Sequence, residues 1–234
     1  MVYLPRVLGL LYDVHGNLPA LDAVLADARE QGADRWLLGG DYALFGAWPA
    51  ETVARLHELG ATWIRGNGER WTADPGADDI PADGPVPGAI AACREVLGDA
   101  LVGELAALDE QVVLDGVRYC HASPVSDMRS FFPEPAEDEA ELLADVDERR
   151  VVFGHTHVPF ARSSARGIEL VNPGSVGMPF DGDPRAAYAL VHDDGRVQHR
   201  RVGYDHAASA AALRERFAGD WTEVVAGRIE RAAP

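Results

Sequence analysis

The feature that most constrains the fold is a short apolar run that leads into a polar or glycine-rich loop and occurs three times in the first seventy residues. The first run, residues 6–11, has no polar alternation, which is typical of a strand buried on both faces. Apolar residues at helical spacing follow the first two runs. The predicted order is strand 6–11, helix 18–31, strand 35–38, helix 49–59 and strand 61–65. Strands that alternate with helices in this way predict a parallel sheet built from βαβ units.

The remainder of the chain mixes loops, hairpins and helices. Residues 72–88 are dense in Asp, Pro and Gly without an apolar period, which predicts an exposed loop. Asp-Gly steps predict two hairpins. The other predicted elements are helices 89–108 (broken near Gly98 and Gly103), 134–146, 207–217 and 222–231, hairpins 111–121 and 187–202, a strand at 151–153, and paired strands 160–164 and 168–171. No repeat or linker divides the chain, so we expect one domain over residues 1–234, with C-terminal helices at about 205–232 packing on it or extending from it.

The charge excludes several functional classes. A net charge of −17 argues against a basic nucleic-acid surface, because such binding needs clustered Lys and Arg to displace counterions. The chain contains no lysine, so a P-loop lysine or a Schiff-base lysine is excluded. Nucleic acid is therefore not an expected partner.

The sequence also argues against a membrane or secreted location. No apolar run is long enough to span a bilayer, and the start of the chain, residues 1–6, lacks the features of a signal peptide. The two cysteines, Cys93 and Cys120, are too few for a disulfide framework and more typical of small core residues. We expect a cytoplasmic protein without a membrane partner.

Polar residues of metal-binding type follow the predicted strands. The pair His155 and His157 has two interpretations when taken alone: solvated loop histidines, or two ligands of one ion, since residues two apart on a strand share a side. The carboxyl ends of strands in an open α/β sheet border a common crevice, so residues there converge. The full set, about the right number for two ions that share a ligand, is Asp13, His15, Asp41, Asn67, His121, His155 and His157.

The order of these motifs resembles that of the calcineurin-like metallophosphoesterases, whose pattern is D-x-H, G-D, G-N-H-[D/E], H and G-H-x-H. The matching pieces run from about Asp13 to about Arg185. Residues 172–177, Asn-Pro-Gly-Ser-Val-Gly, are similar to the small prokaryotic phosphodiesterase branch, which includes relatives of diadenosine tetraphosphatases. The resemblance implies a four-layer α/β/β/α sandwich with two mixed sheets flanked by helices.

The resemblance further implies a dinuclear metal-dependent phosphoesterase. Asp13, His15 and His157 would hold one divalent ion, Asn67, His121 and His155 the other, and Asp41 would bridge them. A metal-bridging hydroxide would attack a small anionic phosphodiester, or a phosphomonoester, in line. His, Asp and Asn ligands suit manganese, which we favour, and also iron, nickel or zinc. The candidate catalytic residues are Asp41, Asn67 and Glu69.

Departures from the family pattern concern the auxiliary groups. Gly68 occupies the position of a histidine that aids leaving-group departure in many relatives, which leaves Glu69 either as a surrogate acid or, the favoured interpretation, as a hydrogen-bonding scaffold. Residues 40–46 lack the second aspartate and the arginine of the fuller G-D-x-x-D-R-G pattern, and Phe180 stands where relatives often have arginine. We therefore expect slow hydrolysis of alkyl esters and a preference for good leaving groups.

The missing auxiliary residues also allow a second interpretation. A catalytically degenerate metal-binding scaffold or regulatory protein of the same fold would keep the ligands but lose turnover. We favour the enzyme because all seven ligand positions are filled.

Overall fold

Two five-stranded sheets packed face to face form the centre of the protein, in a computed structural model that describes residues 6–234. The strands are β1 (Val7–Leu11), β2 (Ala33–Leu38), β3 (Thr62–Trp63), β4 (Gln111–Leu114), β5 (Val117–Cys120), β6 (Arg150–Val152), β7 (Phe160–Ser163), β8 (Glu169–Asn172), β9 (Ala186–Val191) and β10 (Val197–Val202). The first sheet has the order β10-β9-β1-β2-β3, and the second has the order β4-β5-β6-β8-β7.

Both sheets are mixed. In the first sheet, β1, β2 and β3 run parallel, while the β9–β10 hairpin joins antiparallel to β1. In the second sheet, β5, β6 and β8 run parallel, with β4 and β7 antiparallel at the edges. The sequence predicted the parallel βαβ portion, and the two-sheet arrangement implied by the resemblance is confirmed.

An apolar layer between the sheets holds them together. Strand residues that face it alternate with residues that face the helices, as the two-residue period of a strand requires. The buried members of this layer are Leu10, Tyr12, Leu37, Ile64, Val117, Tyr119, Val152, Val171 and Ala189. Each Leu, Ile or Val side chain among them contributes roughly 1.5–3 kcal/mol when it is removed from water.

Helices cover the outer faces of the sheets. They are α1 (Leu18–Glu30), α2 (Pro49–His57), α3 (Asn67–Ala73), α4 (Val86–Ala106), α5 (Glu139–Leu142), α6 (His206–Arg216) and α7 (Asp220–Arg231). Leu213 of α6 and Val225 of α7 belong to the same buried cluster as Leu21 of α1. This shared core supports our proposal that the described residues form one domain, with the C-terminal helices packed on it.

Four predicted elements differ clearly from the structure. The strand expected at 61–65 is reduced to the two residues of β3. The loop expected at 72–88 is shorter, because α3 extends to Ala73 and α4 begins at Val86. Only four residues of the helix expected at 134–146 form α5. The predicted break in α4 is real at Gly98, whose φ of 70° is not helical, whereas Gly103 continues the helix.

No helix among residues 6–234 is long and apolar enough to cross a membrane. The expectation that the chain begins without a signal peptide rests on residues 1–6. Of these, residues 1–5 lie outside the described residues.

Candidate metal centre

The seven residues predicted to bind metal lie together at the carboxyl ends of the parallel strands. The loops after β1, β2, β5 and β6 and the first residue of α3 supply them. All are buried except His155, which is half-buried; the buried ones are Asp13, His15, Asp41, Asn67, His121 and His157. The two-layer architecture makes this convergence possible, since β1 and β2 belong to one sheet and β5 and β6 to the other.

One group forms around the two histidines nearest to Asp13. The Nε2 atoms of His15 and His157 lie 3.0 Å apart. His157 Nε2 lies 3.6 Å from Oδ1 of Asp13. These three residues offer ligand atoms within 4.8 Å of one another, which suits a single ion.

A second group forms around Asn67. Its Oδ1 lies 2.9 Å from His121 Nε2 and 3.0 Å from His155 Nδ1. Asp13, Asp41 and His121 also offer ligand atoms within 4.8 Å of one another, so the second group adjoins the first.

Asp41 lies between the two groups. Its Oδ2 is 3.8 Å from His15 Nε2, and its Oδ1 is 3.5 Å from His121 Nε2. One carboxylate oxygen thus faces each group, which is the arrangement that a bridging ligand needs.

Hydrogen bonds to backbone carbonyls determine which ring nitrogen of three histidines carries the proton. The Nδ1 atoms of His15, His121 and His157 face the carbonyl oxygens of Leu44 at 2.9 Å, Gly39 at 2.8 Å and Met178 at 2.6 Å. A carbonyl only accepts, so each Nδ1 donates and each Nε2 carries a lone pair in the neutral ring. Such a second-sphere contact orients a histidine for metal binding.

The backbone of the site is held in an uncommon conformation. Five of the seven residues have φ in the left-handed region: Asp13 at 53°, His15 at 50°, Asp41 at 58°, His155 at 66° and His157 at 59°. Each non-glycine residue held this way costs roughly 1 kcal/mol or more, and such residues cluster at functional sites. Because β6 ends at Val152, the histidine pair follows the strand instead of lying on it, and its two rings face different groups.

Burial keeps the histidines neutral and opposes ionisation of the carboxyls. It lowers the pKa of His15 and of His155 to about 3 and lowers the pKa of His157 as well. It raises the pKa of Asp13 well above its ordinary value and that of Asp41 to about 7. Neutral imidazoles with free lone pairs beside carboxylates that need a counter-charge are the donor set of a cation site.

Glu69 supports the site through the backbone. Its Oε2 accepts from the N–H groups of Asp41 at 2.9 Å and Gly66 at 2.8 Å, and its Oε1 accepts from Tyr42 at 2.8 Å. Burial raises the pKa of this carboxyl to about 7. Both oxygens are engaged with the loop that carries Asp41, which favours the scaffold interpretation over that of a surrogate acid.

Two further residues, which sequence reasoning did not place in the site, hold its loops. Ser175 Oγ donates to the carbonyl of Asp13 at 2.7 Å. Asn172 Nδ2 donates to the carbonyl of Gly154 and to Thr156 Oγ1, both at 3.0 Å, and so fixes the loop of the histidine pair. A Cβ at residue 154 would lie 2.5 Å from Oδ2 of Asp13, so this position requires glycine. The Asn-Pro-Gly-Ser segment was the available signal in the sequence, although it indicated only family branch.

The groups that surround the site are apolar or already paired. Phe180 stacks on His157 with ring centroids 4.4 Å apart. Arg70 donates to Asp127 at 2.6 and 2.9 Å and to Asp79 at 2.7 and 2.9 Å, so its guanidinium is occupied. Trp71, another residue that could have lined a substrate pocket, is buried in the core and donates to Asp79.

Comparison with known proteins identifies the family. The sequence model of the calcineurin-like phosphoesterase superfamily domain matches residues 7–196. The solved structure of a metallophosphoesterase from Sphaerobacter thermophilus superimposes with a TM-score of 0.81 and 26% identity, covering 98% of this chain and 100% of that one. Protein MJ0912 of Methanocaldococcus jannaschii is 27% identical over 221 residues, which are 85% of this chain and 88% of that protein. Phosphodiesterase YfcE of Escherichia coli K12 is 28% identical over 194 residues, 78% of this chain and 85% of that enzyme.

The family match covers most of the chain, including all seven predicted ligand positions. It confirms the resemblance seen in the motifs and the prediction of a metal-dependent phosphoesterase. The chain belongs to the calcineurin-like phosphoesterase superfamily.

Proposed function

We propose that the protein is a dinuclear metal-dependent phosphodiesterase. Asp13, His15 and His157 hold one divalent ion in this proposal. Asn67, His121 and His155 hold the second, and Asp41 bridges the two.

The observation that carries the proposal is the close approach of two unprotonated histidine nitrogens, Nε2 of His15 and Nε2 of His157. The Nε2 atoms of His15 and His157 are 3.0 Å apart, and both rings use their protons on Nδ1. Two acceptors at this distance repel each other unless a cation lies between them. Two nitrogens bound at adjacent positions to one ion, each at about 2.1 Å, would be about 3 Å apart. Asn67 Oδ1 and His121 Nε2 are a second such pair at 2.9 Å.

The chemistry that two bound cations supply is a water of lowered pKa as nucleophile and charge neutralisation for the phosphoryl oxygens during in-line displacement. The protein's own residues hold and orient the site. Glu69 fixes the Asp41 loop by accepting hydrogen bonds from its backbone N–H groups. The backbone N–H of His155 donates to Oδ2 of Asp13 at 3.0 Å and so fixes the Asp13 carboxylate. Phe45 and Phe180 lie against the rings of His15 and His157 and limit access of water to that side.

A cavity of about 260 Å³ beside His121 supports a diester substrate. It is lined in part by Gln111, Ser123 and Ser126, whose side chains can exchange hydrogen bonds with a polar group. A phosphodiester carries two organic groups, and this cavity gives room for one of them next to the proposed second ion. Asp127 also lines the cavity and disfavours an anionic group there.

We favour manganese at both positions. The donor set of three oxygen-bearing residues and four imidazoles also suits iron, nickel and zinc. The alternative function, a metal-holding scaffold without turnover, shares the same ligands.

Hydrolysis of an aryl phosphodiester, bis(p-nitrophenyl) phosphate, tests the proposal. We expect Mn²⁺ to stimulate the wild type and Asp41→Asn to lose most of the stimulated rate, since the proposed bridging carboxylate is lost. Asp78→Asn is the matched control, because Asp78 is exposed and lies in the 74–85 loop away from the seven residues. Equal, negligible rates in wild type and Asp41→Asn with metal demonstrably bound to the wild type would support the scaffold instead.

A further inference from the structure

A second cavity, of about 280 Å³, lies at the opposite end of the sheets from the metal centre. Residues from both sheets line it, including the beginnings of β2 and β6 and the turn of the β9–β10 hairpin. Arg35 on β2 is six residues before Asp41, and Arg150 on β6 is five residues before His155. At a strand rise of about 3.3 Å per residue, about 15–20 Å separates the two sites.

Four arginines line this cavity: Arg6, Arg35, Arg149 and Arg150. The chain has a net charge of −17 and no lysine, so such a concentration of positive charge is a local exception. Three aspartates, Asp115, Asp193 and Asp194, also line the cavity, so its lining carries four positive and three negative side chains. Asp193 accepts from the N–H of Arg6 and Asp194 from the N–H of Arg196.

In the described part of the chain, no ion pair joins an arginine of the cavity to one of the aspartates that line it. Within residues 6–234, neither Arg35 nor Arg149 forms an ion pair, and both are exposed. Arg150 is buried; its Nε donates to Glu169 at 2.7 Å and its Nη2 to the carbonyl of Gly195 at 2.8 Å. Its Nη1 is buried and has no hydrogen-bond partner among the described residues.

The same guanidinium groups act on one buried phenol. Burial raises the pKa of the Tyr119 hydroxyl, Arg150 opposes that change, Asp115 adds to it, and Arg149 and Arg35 also oppose it. Three arginines from two different sheets are thus within electrostatic range of one point. Their mutual repulsion favours an anion in the cavity to the extent that the three aspartates do not already offset it.

We propose that this cavity binds a small anion carrying a phosphate group. Guanidinium groups match phosphate oxygens in charge and in hydrogen-bond geometry, and several arginines converging on one cavity form a phosphate site. The volume admits a small ligand, and the overall negative charge repels a polymeric anion. Nothing in this proposal depends on the activity of the metal centre.

Binding of radiolabelled inorganic phosphate to the metal-loaded full-length chain, measured by equilibrium dialysis, tests the proposal. We expect the Arg35→Ala/Arg149→Ala double variant to bind one phosphate fewer per chain than the wild type, or to bind it at least tenfold more weakly. Any phosphate at the metal centre is common to both proteins and cancels. Arg29→Ala is the matched control, since Arg29 is exposed on α1 and does not line the cavity.

Metal content and Tm of the double variant verify that it is folded and loaded; both replaced arginines are exposed, so we expect neither to change. The same phosphate stoichiometry and affinity in wild type and double variant would overturn the proposal. Displacement of the cavity phosphate by an equal concentration of acetate would overturn the assignment to phosphate, because a carboxylate would then satisfy the site equally well.

Discussion

The backbone N–H of Gly68 donates to Oδ1 of Asp41 at 2.7 Å, and a Cβ on residue 68 would lie 2.8 Å from the same oxygen. The residue that replaces the family's histidine thus touches the proposed bridging ligand directly. Oδ1 is also the atom that faces His121, at 3.5 Å. Any side chain at position 68 must therefore displace either the α3 backbone or this carboxylate.

We expect Gly68→Ala to weaken metal binding about tenfold, the lower end of the effect of disturbing a contact that orients a ligand. The added methyl group moves Asp41 Oδ1 away from the second group. Metal affinity is measured by competition with a chelator. Gly103→Ala is the control, since a Cβ there meets nothing within 4 Å. Unchanged metal affinity in Gly68→Ala would show that the backbone of α3 shifts and that the Asp41 carboxylate stays in place.

The candidate ligands could be located from the sequence because the ends of strands can be predicted from local residue patterns. Asp13 follows an apolar run and His121 follows a hairpin, and both periodicities depend only on local residues. The parallel order of β1 and β2 placed Asp41 beside Asp13. How the rings divide between two groups came only from the family resemblance.

The supporting contacts could not be predicted, because they join distant segments. Ser175 reaches Asp13 across 162 residues, and Glu69 reaches the Asp41 loop across 28. The sequence predicts no helix at Asn67–Ala73, because α3 is too short to show an amphipathic repeat. The arginine cavity was equally hidden, because its residues come from the beginnings of strands in two sheets.

We expect His155→Ala and His157→Ala to lose different ions. His155 Nδ1 faces Asn67, whereas His157 Nε2 faces His15 and Asp13. Each variant should retain about one ion per chain by mass spectrometry, and the two should differ in the spectrum of a bound cobalt probe. His206→Ala, which removes a ring at the start of α6, is the control. Identical spectra for the two one-ion variants would contradict the division.

Glu69→Gln distinguishes a scaffold from an acid. Glutamine has one acceptor oxygen for three backbone N–H groups, and its amide must direct N–H groups at other N–H groups. We expect unfolding free energy to fall by roughly 1–3 kcal/mol, together with weaker metal binding. Thermal denaturation and chelator competition measure the two effects. Loss of activity with Tm and metal affinity unchanged would instead indicate a direct role in proton transfer.

The ion pair between α1 and the β9–β10 hairpin should stabilise the fold only above acidic pH. Asp27 accepts from Arg200 at 2.7 and 2.8 Å and from Tyr188 at 2.5 Å, and Arg200 lowers the pKa of this carboxyl. A lowered folded-state pKa means that the stabilisation is complete above the unfolded value, about 3.9, and is lost as pH falls through the folded value. Asp27→Asn should lower Tm by roughly 2–4 °C at pH 7, the shift that about 1 kcal/mol produces at this size. If the Tm difference between Asp27→Asn and wild type did not shrink below about pH 4, the ion pair would not be its cause. Asp78→Asn is the control.

Substrate preference should follow the leaving group. The structure shows no free acid near the site among residues 6–234: Gly68 has no side chain, both oxygens of Glu69 accept backbone N–H groups, and Asp127 is bound to Arg70. A proton donor typically accelerates such a reaction roughly 10²- to 10⁴-fold. Without one, an alkoxide departs slowly, whereas the phenolate of a phenol with a low pKa departs without protonation. We expect the rate constants for a series of aryl methyl phosphodiesters, measured with saturating Mn²⁺, to fall steeply as the pKa of the phenol rises. A rate independent of leaving-group pKa, or alkyl phosphomonoesters as the fastest substrates, would require a donor that these contacts do not provide.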